Sequence, residues 1–307
     1  MGASPLIAST WRHTVTVDTT GADGGQILVG IADGRRGGRG PTVIVTLGFL
    51  ACVEPFEMQR FQMIADLAGA RLAVVETPGF GYARSRLLPD EYRCLRRGDF
   101  TAVGRRMLSA VRIAIGEDTD TGPIGLLGYS LGSSTGAALA RVANTEVPGP
   151  WIDTVVLVEP VALRRWSAGR LVSAMLRENR HVQPYLDETA ALDGTVQPQD
   201  RRPAEAPTTH RRADLLTLAN ALRYARLGPD LIASAGNRER PIRRLVVVQG
   251  DSSLLSPRQK ASRLVSALDD HGVAASIVRA PGHHAFWQSL PRVAELTETV
   301  HRLLQGV

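Results

Sequence analysis

A chain of 307 residues, 44% hydrophobic and 21% charged, is long enough to bury a full core and has the balance of one large α/β domain or one domain with an insertion. No apolar run approaches the ~20 residues that span a bilayer, Met1 to Thr10 lacks the basic and apolar segments of a secretory signal, and two cysteines, Cys52 and Cys94, make neither a disulfide framework nor a metal site. The net charge of +6 rests almost wholly on arginine, with Lys260 the single lysine, and these arginines are scattered among Asp and Glu, not gathered with aromatics on one face as a nucleic-acid site requires. The expectation is a cytoplasmic protein with no nucleic-acid or membrane partner, no metal and no cofactor. The densest basic cluster, Arg35-Arg36-Gly37-Gly38-Arg39, reads as a solvated loop.

Trp11 to Thr19 and Gln26 to Ala32 alternate apolar and polar residues and predict an antiparallel hairpin at a sheet edge. Thr42 to Leu47 is a continuous apolar run, the mark of a strand covered on both faces. A helix is predicted from Pro55, with Phe61, Ile64, Ala65 and Ala68 on its apolar face, and then a buried strand, Arg71 to Glu76. Asp99 is placed to cap a helix carrying Phe100, Val103, Met107, Ala110, Val111 and Ala114. Another strand follows at Asp153 to Glu159. The alternation of strand and helix argues for a mostly parallel sheet. It stops between 163 and 240, where helical patterns, one with Trp166, Leu171, Met175 and Leu176 and one with Leu215, Leu218, Ala219 and Leu222, flank a polar, proline-rich stretch from Gln197 to Thr209. It resumes with strands at Arg244 to Gln249 and Val273 to Ala280, a capping box at Ser256-Pro257-Arg258-Gln259, and a closing amphipathic helix near Pro291. The division expected is a core of 1–162 and 241–307 with a helical cap at 163–240.

The sequence turns on Pro123 to Gly136, a short apolar strand, a sharp turn at Ser130 and a helix of small residues. Gly128-Tyr129-Ser130-Leu131-Gly132 fits G-x-S-x-G, in which a strained turn lifts a serine hydroxyl clear of the sheet edge. Strand and helix then approach so closely that the residues two before and two after the serine must lack a Cβ.

Four motifs in order resemble those of the α/β-hydrolase fold, and the resemblance covers nearly the whole chain. Leu47-Gly48-Phe49 resembles the His-Gly-x turn after the third strand, with Leu47 in place of the usual His. Pro78-Gly79-Phe80-Gly81-Tyr82-Ala83-Arg84-Ser85 resembles the loop after the fourth strand, with Glu76 at the usual Asp and a two-residue extension before the Ser. Gly128 to Gly132 is the elbow after the fifth strand, and Gly282-His283 resembles the histidine loop after the eighth. The fold implied is a mostly parallel eight-stranded sheet with helices on both faces and a helical cap inserted after the sixth strand.

A serine hydroxyl needs a base within hydrogen-bond reach to act as a nucleophile at neutral pH. The resemblance makes Ser130 the nucleophile and His283 the base, with the adjacent His284 in reserve. It makes the backbone N–H groups of Phe49 and Leu131 the oxyanion donors. Many members carry the acid three residues after the glycine that ends the seventh strand, but Ser253 stands there. A variant places it after the sixth strand, where this chain has Glu159 ahead of Pro160. Glu159 is the expected acid and Asp251 the alternative. Cys52 reads as a small buried hydrophobe, and Trp166, Met175, Tyr185 and Trp287 as core residues with the pocket as a second possibility.

The activity expected is that of a serine hydrolase cleaving a small or medium ester, lactone or thioester through an acyl-enzyme. The arginine excess in 163–240 leaves an anionic or acyl-carrier-linked substrate open. Thioesterase, C–C hydrolase or acyltransferase chemistry on the same site is one alternative. A non-catalytic binding protein on the same fold is another.

Overall fold

The computed structural model describes residues 13–21, 24–34, 40–116, 122–197 and 210–306. The chain start, the Arg35–Arg39 loop and most of the proline-rich stretch after Gln197 lie outside the described residues. Eight strands form one sheet: β1 (His13–Asp18), β2 (Gln26–Asp33), β3 (Thr42–Thr46), β4 (Arg71–Val75), β5 (Pro123–Tyr129), β6 (Trp151–Val158), β7 (Arg244–Gly250) and β8 (Ala274–Ala280). Their order is β1-β2-β4-β3-β5-β6-β7-β8. β1 and β2 pair antiparallel, β2 runs antiparallel to β4, and every pairing from β4 onward is parallel. The parallel strands therefore end together at one edge, and their following loops meet there.

The apolar runs face two cores at once, as the pleat requires. Ile44, Ala73, Val75, Leu245 and Val247 pack on one face with α3 (Thr101–Ile115), α4 (Leu131–Thr145) and α9 (Arg258–Asp269). Val45, Leu72, Val74, Val246 and Val248 pack on the other with α1 (Pro55–Ala68) and α10 (Leu290–Gln305). At ~1.5–3 kcal/mol for each large side chain taken out of water, these two layers are what the apolar runs contribute to folding. Asp99 accepts a hydrogen bond from the N–H of Thr101 at 2.8 Å, as its place ahead of α3 suggests.

The chain between β6 and β7 forms α5 (Ala168–Asn179), α6 (Val182–Ala190), α7 (Arg212–Ala221) and α8 (Leu227–Ala235). The first three continue beyond the carboxyl ends of the strands, where α5 and α6 face the histidine-bearing loop after β8. α8 packs against α4 and brings Leu227 and Leu231 into the same core as the α3–α4 layer. Three helices have no counterpart in the sequence reading: α6, α8 and the seven-residue α2 (Pro89–Leu95). Each is at most nine residues long, too short to display a full apolar stripe. The expected capping box also fails: α9 begins at Arg258 with Pro257 as its N-cap and no side-chain cap, and the Ser256 hydroxyl is buried without a partner.

Candidate active site

The turn at Ser130 follows from the close approach of three backbones. Ser130 has φ 55° and ψ −114°, while its N–H still donates to the carbonyl of Val158 on β6 at 2.9 Å. A Cβ on Gly128 would stand 2.8 Å from the carbonyl oxygen of Gly132, and one on Gly132 would collide with the backbone of Thr46 on β3. The first glycine lets strand and helix touch. The second lets the helix touch a neighbouring strand. With that backbone fixed, Ser130 projects from the sheet edge into a pocket of about 460 Å³.

Glu159 is kinked in the same way. It follows β6 with φ 54°, and its N–H donates to Val248 on β7 at 2.8 Å. Such a conformation costs a non-glycine residue of order 1–3 kcal/mol, and here the flanking strand pairings hold it. Its side chain is wholly buried. The carboxylate accepts hydrogen bonds from the N–H of Gly250 and the hydroxyl of Ser253.

The imidazole that joins these two residues is that of His284. Its Nδ1 lies 2.8 Å from Oε2 of Glu159, and its Nε2 lies 3.0 Å from Oγ of Ser130. With the carboxylate fixing the proton on Nδ1, Nε2 is the acceptor for the Ser130 hydroxyl. This corrects the expectation of His283. Gly282 turns the chain out of β8 with φ 116°, and His283 is extended at φ −97° and ψ 175°. Successive side chains of extended backbone point to opposite sides, so only one of the pair can face the sheet edge. His283 turns toward the inserted helices, where its ring stacks on His181 at 3.6 Å and its N–H donates to the hydroxyl of Tyr185 at 2.9 Å.

Asp251 is not part of the chain of contacts. It lies at the surface, accepts from the N–H of Gly282 at 2.9 Å and from the Ser252 hydroxyl, and these bonds hold its carboxyl below the usual range. It is the turn former its Asp-Ser-Ser setting suggests.

Leu131 is the first residue of α4, so its N–H belongs to the group that helix geometry leaves without an intrahelical partner. Phe49 lines the pocket beside Ser130, and Leu50 after it takes φ 64°. The loop carrying them is tied down by Glu76. That carboxylate accepts from the N–H groups of Val53 at 3.1 Å, Tyr82 at 3.0 Å and Ala83 at 3.3 Å, which joins the loops after β3 and β4. Burial pushes the Glu76 carboxyl up to about 7, and the three N–H donors pull against that without cancelling it. A Cβ on Gly81 would strike this carboxylate, which explains a glycine there with φ 119°.

Tyr129 packs on the far side of the imidazole. Its ring lies 5.4 Å from that of His284 and stacks on Trp287 at 5.3 Å, and its hydroxyl donates to the His284 carbonyl at 3.3 Å. Burial, with a contribution from the Glu159 charge, pushes its phenol well up. Of the four residues left between core and pocket, Met175 lines the pocket, whereas Trp166, Tyr185 and Trp287 are buried in the core. Cys52 lines the pocket and is buried. The described lining includes the carboxylates of Glu54, Glu57 and Glu178 and no arginine or lysine. Among the described residues no group of His, Cys, Asp and Glu is arranged to hold a metal ion, and no helix is long and apolar enough to cross a membrane.

Comparison of the sequence with family models and with curated proteins finds no match. Solved structures are similar along nearly the whole chain. An esterase of Pyrobaculum calidifontis matches with a TM-score of 0.55 at 16% identity, over 98% of this chain and 87% of its own. A thioesterase domain from the curacin biosynthetic pathway matches at 0.54 and 16%, over 93% and 98%. An enol-lactonase of Burkholderia xenovorans matches at 0.54 and 15%, over 91% and 96%. Likeness at such identities speaks for the fold, and the fold of this chain is that of the α/β-hydrolases.

Proposed function

We propose that the protein is a serine hydrolase that cleaves a small or medium ester, lactone or thioester, with Ser130 as nucleophile, His284 as base and Glu159 as acid. One observation carries the reading: hydroxyl, imidazole and buried carboxylate follow one another at hydrogen-bond distance, with the hydroxyl facing a pocket. Ser130 Oγ attacks the substrate carbonyl as its proton passes to Nε2 of His284. The charge that develops on the carbonyl oxygen is received by the N–H groups of Leu131 and Phe49. Glu159 keeps the imidazole oriented and stabilises its charged form. The imidazolium returns the proton to the departing alcohol or thiol, which leaves an acyl group on Ser130. Water then gives a proton to Nε2 as its oxygen attacks the acyl carbon, and the intermediate breaks the bond to Oγ of Ser130, which takes that proton back from Nε2 as the acid leaves.

Of the helices of 163–240, α5 and α6 serve as the cap, while α8 belongs to the core. Support comes from Met175, Glu178 and Asn179 of α5 and Val182 and Leu186 of α6, which line the pocket opposite the sheet edge. A pocket of about 460 Å³ partly covered by helices suits a small molecule better than a polymer. Of the carboxylates around it, Glu57 is paired with the buried Arg60, whereas Glu54 and Glu178 disfavour anionic acyl groups and argue against the anionic substrate left open by the arginines of 163–240.

The test is hydrolysis of a panel of p-nitrophenyl esters and acyl thioesters with a pre-steady-state burst. The wild type is expected to release one equivalent of leaving group rapidly, and Ser130→Ala to release none. A folded wild-type protein inert on the whole panel, or one whose activity survives Ser130→Ala, would overturn the proposal.

A further inference from the structure

We propose that Glu178, on the inserted helix α5, is a positioning residue for His284, so that the cap is a working part of the base and not only a cover. The inference rests on the reading of Ser130, His284 and Glu159 given above.

Glu178 is the next-to-last residue of α5 and is 3% exposed. Its Oε2 accepts the backbone N–H of His284 at 3.0 Å, and its Oε1 accepts the backbone N–H of Leu254. One carboxylate thus clamps two loops of the core. One loop follows β8 and carries the imidazole. The other follows β7 and carries Ser253, the hydroxyl donor to Glu159. His284 is consequently held from two flanks, by Glu159 through its ring and by Glu178 through its main chain.

The chemistry of the clamp is unusual for a structural tie. Among the described residues no arginine or lysine comes within ion-pair distance of Glu178, and Nδ1 of His283, a nitrogen with no hydrogen-bond partner there, lies 3.7 Å from its Oε2. A buried carboxylate without a cation is costly unless N–H groups are aimed at it. The two amides do that here, and the negative charge then lies against the residue whose ring becomes positive when it takes the proton of Ser130. Glu188 offers the contrast. It ties α6 to α10 through Arg292 at 2.7 Å and accepts the hydroxyl of Ser289 at 2.6 Å, partly exposed, with no hydrogen bond to His284 among the described residues. A cap held only for closure needs ties like Glu188. Glu178 binds the base itself.

The experiment compares Glu178→Gln and Glu188→Gln with the wild type on a short neutral aryl ester, with thermal unfolding as a check on folding. A glutamine accepts one of the two N–H bonds at most and carries no charge. The expected result is a loss of about 10- to 100-fold in kcat for Glu178→Gln with KM within about threefold, as an effect on the reacting base requires. Glu188→Gln is expected within about twofold on both constants. Should Glu178→Gln not fold, Glu178→Asp, which keeps the charge and one bond, is expected to fold and to lose about 3- to 30-fold in kcat. Wild-type kcat in the folded Glu178 variant, an effect confined to KM, or an equal loss of kcat in Glu188→Gln would overturn the proposal. In the same assay an inert wild type, or unchanged turnover in His284→Ala, refutes the hydrolase reading itself, and the positioning role with it.

Discussion

Ser253 and Glu159 are hydrogen-bonded across the ends of β7 and β6, and the carboxylate oxygen that takes the Ser253 hydroxyl is the one that faces Nδ1 of His284. Ser253 occupies the position at which the resemblance puts the acid. The carboxylate that meets the imidazole lies at the end of the adjacent strand, and Ser253 donates to it. Glu159→Gln puts an amide where a carboxylate must accept from Nδ1, and kcat is expected to fall about 10³- to 10⁴-fold. Asp251→Asn alters only an exposed turn and is expected to leave kcat within about twofold. Steady-state rates of the two variants decide between them, and a large loss in Asp251→Asn alone would reverse the assignment.

The paired histidines make a second contrast. His284→Ala removes the imidazole hydrogen-bonded to Ser130 and is expected to lower kcat at least about 10⁴-fold. His283→Ala removes a ring stacked on His181 and is expected to cost less than about fivefold. Comparable losses in both would mean that the two rings exchange places during turnover.

Much of this was readable in advance. The apolar runs at Thr42–Leu47 and Arg71–Glu76 announce strands covered on both faces. The two glycines around Ser130 announce a turn that admits no Cβ. That Glu159 stands at the sheet edge was legible because it directly follows an apolar run, at the end of the sheet where the loops gather. Which histidine meets it was not, because a Gly-His-His stretch says nothing about which ring faces the sheet. That depends on the φ of Gly282 and the extended backbone of His283, neither of which has a sequence mark of its own. The clamp by Glu178 was hidden for another reason. It joins residues 76 and 106 positions apart through main-chain N–H groups, which every residue except proline possesses.

Glu76 gives a pH dependence of stability. Its carboxyl titrates at about 7 in the folded protein against an ordinary 4.5, so the folded state favours the protonated form. The stability this contributes is complete below pH 4.5 and is lost as pH rises through 7, by roughly 3 kcal/mol in all. Urea unfolding of the wild type from pH 4.5 to pH 8 is expected to show this decline as one component, and Glu76→Gln to remove it. Parallel curves for the two proteins would contradict the assignment.

The elbow can be tested by size alone. Gly132→Ala places a methyl group against the backbone of Thr46 and Leu47, main-chain atoms and not the end of a flexible side chain. A destabilisation of about 2–4 kcal/mol is expected from the shift in urea midpoint. A midpoint within experimental error of the wild type would show that the approach of helix and strand is looser than described.

The pocket carboxylates lead to a preference by charge. Among aryl esters matched in length, those ending in a carboxylate are expected to have kcat/KM at least about tenfold below those ending in a methyl or an ammonium group. Equal rates for all three would show that Glu54 and Glu178 are screened from the acyl group.

The most direct measurement is mass-spectrometric mapping of a fluorophosphonate adduct in the wild type and in Ser130→Ala, His283→Ala and His284→Ala. The expected adduct is on Ser130 in the wild type and in His283→Ala, with none in Ser130→Ala and little or none in His284→Ala. Labelling of His284→Ala at the wild-type rate, or a folded wild type that takes up no label at Ser130, would contradict a serine activated by His284.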